Sequence, residues 1–484
     1  MDELVRDTGT GTGTDTDDGM DSLVQGLFDA CDDTLPYLKH QQETVTRGEL
    51  RERVTKQAAV FAGYGIGPGS TVGLRTPPSF TQIEVLLALW RLGAQVLLFD
   101  FRLKPPEVAV LCTTCRPQFM VSAGSNVRAT FGFRSEHEVV TERRRTGRPA
   151  TTAHRLVQFS SGSTGRPKVI GRTARSLATE VDRFASTTGI PAAPGMPVEG
   201  DRLLLLSSTA HSFGLVAGLL YSLAAGVSVV FAPRVSARDI LRTALEHRVT
   251  ALFGVPAHYE LLAAATDPPA LPDLRVAVSG GEIMPPRVAA RFAHRYGVPV
   301  GEAYGTTETG IVAIDIGGTL RPSVGRAAPG VVVRERHGEL DVALDESPYL
   351  FDSGGTQYAD GWLHTRDRAT VDATGAVLVH GRADSLVVIG GLKVDLTEVE
   401  NVLCEHPAVD QAVLVHEDVT EAYVAVAAGT ERPSSEDLSR WCRERLADYK
   451  VPRVIRLLES LPRTSNGKLV RRAAALQAAV AGEA

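Results

Sequence analysis

The chain is poor in cysteine and has no excess of positive charge. Five cysteines among 484 residues is an odd number, which argues against a disulfide framework and for a reducing compartment. Cys112 and Cys115 form a Cys-x-x-Cys, but no second pair at zinc spacing follows. Both are read as packing residues of a helix over 106–115. Lys and Arg total 51 against 57 Asp and Glu, a net charge of −6, so nothing points to nucleic acid as a partner. The N-terminus lacks the basic and apolar regions of a secretory signal, and a cytoplasmic location is expected. Residues 213–232 run twenty positions without a charge, the length of a membrane span. Gly226 divides them, however, and a buried helix followed by a buried strand explains them better. Neither a Gly-x-Ser-x-Gly elbow nor the common Gly-x-x-x-x-Gly-Lys-[Ser/Thr] nucleotide loop occurs.

What is present begins with Phe159-Ser-Ser-Gly-Ser-Thr-Gly-Arg-Pro-Lys168. It follows an apolar run, Leu156 and Val157, that reads as a strand end. Gly162 and Gly165 allow close backbone approach to a polyanion. Ser160, Ser161, Ser163 and Thr164 offer hydroxyl donors, and Lys168 adds a point charge. Taken alone, the stretch is also compatible with a polar turn.

Residues 1–20 alternate Gly and Thr and then turn acidic, so they are assigned to a disordered tail. From about Leu23 strands alternate with amphipathic helices. Thr46-x-x-Glu49 and Ser79-x-x-Gln82 each open a helix. Such alternation calls for a mainly parallel sheet covered on both faces. Residues 122–154 read as a polar surface excursion. From 321 to 380 short alternating runs suggest a small β subdomain. The expected fold is α/β: a large domain over 21–383, with parallel-rich sheets flanked by helices, and a small mobile α+β domain over 384–484.

Five motifs in order then suggest a family. Phe159–Lys168, Tyr304-Gly-Thr-Thr-Glu308, Gly361-Trp-Leu-His-Thr-Arg-Asp367, Gly381-Arg382 through Glu398-Val-Glu400, and Leu461-Pro-Arg-Thr-Ser-Asn-Gly-Lys468 together resemble the adenylate-forming superfamily. That family includes acyl- and aryl-CoA ligases, carrier-loading adenylation domains and luciferases. The resemblance spans roughly 23–472. It implies ATP-dependent conversion of a carboxylic acid to an acyl-AMP, with Mg²⁺ as cofactor and pyrophosphate released.

The resemblance also implies roles. The Ser160–Lys168 loop would hold the β- and γ-phosphates, Thr307 would contact the α-phosphate, and Glu308 would hold Mg²⁺. Tyr304 would stack on adenine, lined by Gly281, Glu282, Glu302, Ala303 and Gly305. Asp367 would take the ribose hydroxyls with Arg382 assisting, and Lys468 would reach the reacting carboxylate and α-phosphate. Asp384 would be the hinge, and Gly390, Gly391 and Lys393 would border the thiol path.

The acyl pocket would involve His211, Phe213, Gly214, Gly254, Gly280 and Gly305. His211 is a candidate substrate contact, the alternative being a packed histidine. Phe213-Gly214 lacks the acid that amino-acid-activating relatives carry, which disfavours an α-amino acid. Small residues in the wall are read as room for an aryl or bulky acyl group. The chain stops shortly after Lys468 without a carrier domain, so the acceptor is ranked as CoA first, a separate carrier protein second and an amine third. A regulator that kept the fold is the non-enzymatic alternative. Neither a membrane span nor nucleic acid is expected, and the protein would act as a monomer or homodimer. Three departures stand out: Val169 and Arg366 where the family usually has glycine, and no histidine pattern over 170–174.

Overall fold

The computed structural model describes residues 18–103, 105–124, 132–160, 168–187, 195–351, 356–389, 392–417, 419–446, 448–464 and 467–483. These divide into two compact units. One comprises Met1–Arg334, Val342–His364 and Val371–Leu378, and the other Glu335–Asp341, Thr365–Thr370 and Val379–Ala484.

Two sheets dominate the first unit. Nine strands form one, in the order Arg326–Ala327, Gly310–Asp315, Val300–Thr306, Val276–Gly280, Ala251–Gly254, Arg202–Leu205, Ser228–Phe231, Pro36–His40 and Glu43–Thr46. From Val300–Thr306 to Pro36–His40 every neighbouring pair is parallel. The edges are antiparallel. Inner strands such as Ser228–Phe231 and Ala251–Gly254 are buried at every residue, as a sheet covered on both faces requires. Seven strands form the second sheet, in the order Tyr349–Leu350, Lys168–Arg172, Leu156–Ser160, Gln95–Leu98, Thr71–Arg75, Phe119–Ala123 and Val139–Arg143.

The helices begin where side chains satisfy their first N–H groups. Thr46 Oγ1 accepts from Glu49 N at 3.2 Å while Thr46 N donates to Glu49 Oε2 at 2.8 Å, closing a capping box on the helix Arg47–Gly63. Ser79 caps Phe80–Arg91 through Gln82 N. Cys112 and Cys115 face the core from the helix Pro105–Cys115, and burial pushes the Cys115 thiol up to about 12.

The second unit holds a three-stranded sheet, Val409–His416, Thr420–Val426 and Val454–Leu458. The helix Leu396–Cys404 packs its Val399 and Leu403 into the same cluster as Leu414 and Val424.

Four expectations change. Order begins earlier than residue 21, because a helix runs Asp18–Asp29 and Met20 is only 1% exposed. The polar stretch 122–154 contains the strand Val139–Arg143, paired antiparallel to Phe119–Ala123. Its lack of apolar alternation reflects an edge position, where most side chains stay exposed. The stretch 321–380 holds the expected small sheet, but not all of its strands join it. Arg326–Ala327 joins the nine-stranded sheet and Tyr349–Leu350 the seven-stranded one, while strands Val333–Arg336, Glu339–Ala343, Tyr358–Ala359, Trp362–Val371 and Val377–Arg382 form a separate sheet. Finally, Phe213–Leu220 winds as a π-helix before one α turn, Tyr221–Ala224, and π segments concentrate at functional sites.

Candidate active site

Strand register brings the separated motifs of the first unit to one edge. Gly254 lies opposite Ser279, and Gly280 opposite Ala303. The segments after these strands, Val255–Pro256, Gly281–Glu282 and Thr307–Glu308, therefore leave the carboxyl edge of a parallel sheet side by side, where ligands of open α/β sheets bind. Thr306 and Thr309 close the last of these, each N–H donating to the other's Oγ1 at 3.2 Å. Thr307 and Glu308 lie between them, both partly exposed.

Lys168 reaches this region from the other sheet. It pairs with Ser160 across the antiparallel strands Leu156–Ser160 and Lys168–Arg172. Ser161, Gly162, Ser163, Thr164 and Gly165, the rest of the expected phosphate loop, lie outside the described residues. Val169, one of the departures, lies in the strand Lys168–Arg172. It is 1% exposed inside the strand, between partners Phe159 and Leu350, and its branched side chain packs with Val157 and Leu350.

Two residues that no motif flagged join the candidate pair. Lys168 Nζ donates to Gln357 Oε1. Tyr349 Oη lies 2.9 Å from the same oxygen and 3.1 Å from Glu308 Oε1. The Lys168 ammonium also sits 5.7 Å from the centroid of the Tyr349 ring. The cation and the carboxylate that the resemblance assigns to phosphate and metal thus stand at the ends of one hydrogen-bonded chain.

A buried brace supports both from below. Arg172 Nη2 lies 2.9 Å from Glu180 Oε2, and Glu180 Oε1 accepts from Ile311 N at 2.9 Å. Gly310 is doubly required, since its φ is +67° and a Cβ there would stand 2.2 Å from Glu180 Oε2. Arg172 occupies the stretch whose histidine pattern is missing.

Glu302 does not line an adenine face. Its side chain points into the protein, accepting from Met284 N at 2.6 Å with Arg321 Nη1 at 3.4 Å. Burial raises its carboxyl above the usual range, opposed by Arg321 and the Met284 N–H. Ala303 is buried in the core. Glu302 instead anchors the segment after Gly280, in which Gly281 has φ +88° and is exposed while Glu282 is partly exposed. Tyr304 is also partly exposed, at a register shift between Tyr304 and Gly305.

The glycines of the acyl wall serve close packing of the protein on itself, not open room. A Cβ on Gly280 would stand 2.8 Å from the Phe213 ring, one on Gly214 2.2 Å from Ser208 O, and one on Gly305 2.2 Å from Gly310 O. A Cβ on Gly254 would lie 3.1 Å from His258 Nδ1. Converging strand ends and the π-helix fill these spaces. What remains is aromatic: Phe213 stacks on Phe253 with centroids 5.5 Å apart.

His211, partly exposed, has its Nε2 4.0 Å from Asp100 Oδ2. Asp100 is the acid that sequence reading did not find. Burial alone would raise its carboxyl, but hydrogen bonds and charge from Arg102 outweigh it and hold it below the usual range. Arg102 takes both of its oxygens, at 2.9 and 2.7 Å.

In the second unit, Asp367 Oδ1 accepts from Arg382 Nη1 at 3.0 Å, and Arg382 also reaches Thr365 O at 3.3 Å. Asp367 is buried and Arg382 exposed. Arg366 has φ +59°, a backbone setting in which glycine is at ease and arginine strained. Lys468 is exposed beside a hairpin in which Thr464 N donates to Lys468 O at 2.6 Å and Arg463 Nη1 to Gly467 O at 2.7 Å. Asp384 lies in the 3₁₀ turn Ala383–Ser385 and Lys393 in the strand Leu392–Asp395. Gly390 and Gly391 are outside the described residues.

The donor set suits a magnesium nucleotide. Mg²⁺ takes one or two carboxylates and completes its shell with phosphate oxygens and water. Glu308 is partly exposed and held beside a lysine able to take the phosphates. Among the described residues no cluster of three or more His, Cys, Asp or Glu could hold a metal, and no helix is long and apolar enough to cross a membrane.

The chain is similar to known proteins along most of its length. The AMP-binding enzyme family matches residues 30–339, and the AMP-binding enzyme C-terminal domain matches 398–468. The chain is 30% identical to novobiocin biosynthesis protein H of Streptomyces niveus, over 90% of this chain and 79% of that protein. It is 28% identical to a feruloyl-CoA synthase of Amycolatopsis sp, over 90% of this chain and 94% of the relative. The crystal structure of an anthranilate CoA ligase in complex with anthranoyl-AMP superposes with a TM-score of 0.78 at 24% identity, covering 94% of this chain and 98% of that one.

Proposed function

Because the chain belongs to the AMP-binding enzyme family, we propose that it activates a carboxylic acid with ATP and passes the acyl group to a thiol, with CoA as the first-ranked acceptor. The observation that carries this reading is the chain Lys168–Gln357–Tyr349–Glu308, which sets a phosphate-binding cation and a metal-binding carboxylate in one corner.

In the first step a carboxylate oxygen attacks the α-phosphorus of ATP. The bond to the β-phosphate breaks and pyrophosphate leaves with its electron pair. In the second step a thiolate attacks the acyl carbon, forming the thioester and releasing AMP. The first step crowds anions together. A cation about 4 Å from such an oxygen contributes roughly 4 kcal/mol at an effective dielectric near 20. Lys168 supplies one such charge and Lys468 the second, while Thr307 contacts the α-phosphate. Glu308 would hold Mg²⁺, which would supply further charge neutralisation on the phosphates. Tyr304 takes the adenine, and Asp367 with Arg382 the ribose. Asp384 is the candidate hinge between the two steps, and Gly390, Gly391 and Lys393 remain the candidates for the thiol path.

The acid is aryl or bulky acyl. Phe213, partly exposed and stacked on the buried Phe253, offers an aromatic surface. Asp100, already paired with Arg102, makes a poor partner for a substrate ammonium, and His211 is left to meet the substrate carboxylate. The relatives named as acting on feruloyl groups support the same class.

Acid-dependent ATP–pyrophosphate exchange across a panel of benzoates, cinnamates, branched fatty acids and amino acids tests the reading. Exchange with aryl acids is expected. Exchange with amino acids alone, or with no acid, overturns it. Product masses with CoA, a carrier protein or an amine present then identify the acceptor.

A further inference from the structure

We propose that Tyr349 is a positioning residue of the adenylation step, holding Glu308 directly and Lys168 through Gln357. The proposal rests on the acyl-adenylating reading and extends it to residues outside every motif.

The backbone at Tyr349 is fixed by the sheet. Tyr349 lies opposite Ile170 and Leu350 opposite Val169, and Gly171 N donates to Pro348 O at 2.8 Å. The phenol thus rides on the same antiparallel ladder that carries Lys168. Gln357 is 5% exposed, so its amide is confined as well.

Hydrogen-bond chemistry fixes the order of the chain. A lysine ammonium only donates, so it orients the Gln357 amide with Oε1 toward it. Among the described residues the Tyr349 hydroxyl, with its one proton, faces two acceptors, Gln357 Oε1 at 2.9 Å and Glu308 Oε1 at 3.1 Å. That proton is shared between the two, so the phenol keeps hold of Glu308 and of the same Gln357 Oε1 that accepts from the ammonium.

The consequence is a neutral bridge between opposite charges. A direct lysine–carboxylate pair would have to be broken before phosphate and metal could enter. An amide and a phenol hold both ends in place while leaving them easier to rearrange. Tyr349 therefore acts when the magnesium nucleotide binds, and it has no task in the later attack of the thiol.

Tyr349→Phe removes one oxygen and keeps the ring. Calorimetry with Mg²⁺ and a non-hydrolysable ATP analogue should show affinity falling about tenfold, the worth of one charge-assisted hydrogen bond. The Mg²⁺ concentration for half-maximal exchange should rise in parallel. Acyl transfer from supplied acyl-AMP to the thiol, and the unfolding temperature, should stay at wild-type values. Gln357→Leu should behave alike and carries the test if the phenylalanine variant does not fold. Unchanged nucleotide affinity, or equal losses in both half-reactions, overturns the proposal. Wild-type protein that binds no magnesium nucleotide overturns the proposed function itself, whereas equal binding by wild type and variant overturns only the role of Tyr349.

Discussion

Arg172 and Glu180 form an ion pair with 2.9 Å between Nη2 and Oε2, their side chains 5% and 2% exposed. The pair ties the strand carrying Lys168 to the helix Ala174–Ala185, and Glu180 passes the link to Ile311 N beyond Glu308. Glu180→Gln keeps the shape and the N–H contact but leaves a buried guanidinium without its counter-charge. Breaking such a pair costs about 3–5 kcal/mol. Denaturant unfolding should show a loss in that range, and a loss below about 1 kcal/mol would contradict the brace.

Arg366→Gly should stabilise. The left-handed backbone at φ +59° costs a non-glycine residue roughly 1–2 kcal/mol. The added freedom of the unfolded chain returns about 0.4–1 kcal/mol of that. A net gain of about 0.5–1 kcal/mol and a higher melting temperature are expected. Arg366→Ala keeps the strain and should not gain.

Lys468→Ala should slow adenylation by about 10²-fold or more, as loss of one preorganised charge does, while acyl transfer from supplied acyl-AMP persists. Arg463→Ala should lower adenylation in the same direction and less far, because Arg463 holds the hairpin through Gly467 O and Gln411 Oε1 at 2.7 and 2.9 Å. Rapid-quench measurement of the two half-reactions separates these outcomes from general damage.

Asp384→Pro should show the opposite pattern. Proline restricts the backbone change a hinge must absorb, so thiol transfer should fall much further than adenylation. Equal losses would remove Asp384 from the hinge role.

Acid stability should depend on Asp201. Burial raises its carboxyl, but the Val198 N–H at 2.8 Å, Arg275 and the Thr250 hydroxyl at 2.8 Å outweigh this and hold it below the usual range. In acid the unfolded chain then binds more protons, so the stabilisation is complete above about pH 4 and is lost as pH falls through the folded value. Asp201→Asn should melt lower than wild type at neutral pH, and the gap should narrow below about pH 4. A gap unchanged down to about pH 2.5 would exclude this carboxylate as its source.

Lys168, Glu308, Asp367 and Lys468 could be singled out as candidates because their chemistry is written in short stretches: a lysine after glycines and hydroxyls, an acid after two threonines. The alternation of strands and helices was legible for the same local reason, since period and caps are set within a few residues. The packed use of the acyl-wall glycines, the inward turn of Glu302 and the bridge through Tyr349 and Gln357 were not. Each depends on which strand lies beside which, and pairing across the sheet joins residues far apart in the chain. No motif in the sequence around Tyr349 marks it. Only the antiparallel pairing with Val169 and Ile170 sets its hydroxyl between Gln357 and Glu308. The sequence by itself determined which chemical groups are available and where helices and strands begin. Tertiary structure decided which of those groups meet, because long-range register fixes distances that local periodicity leaves open.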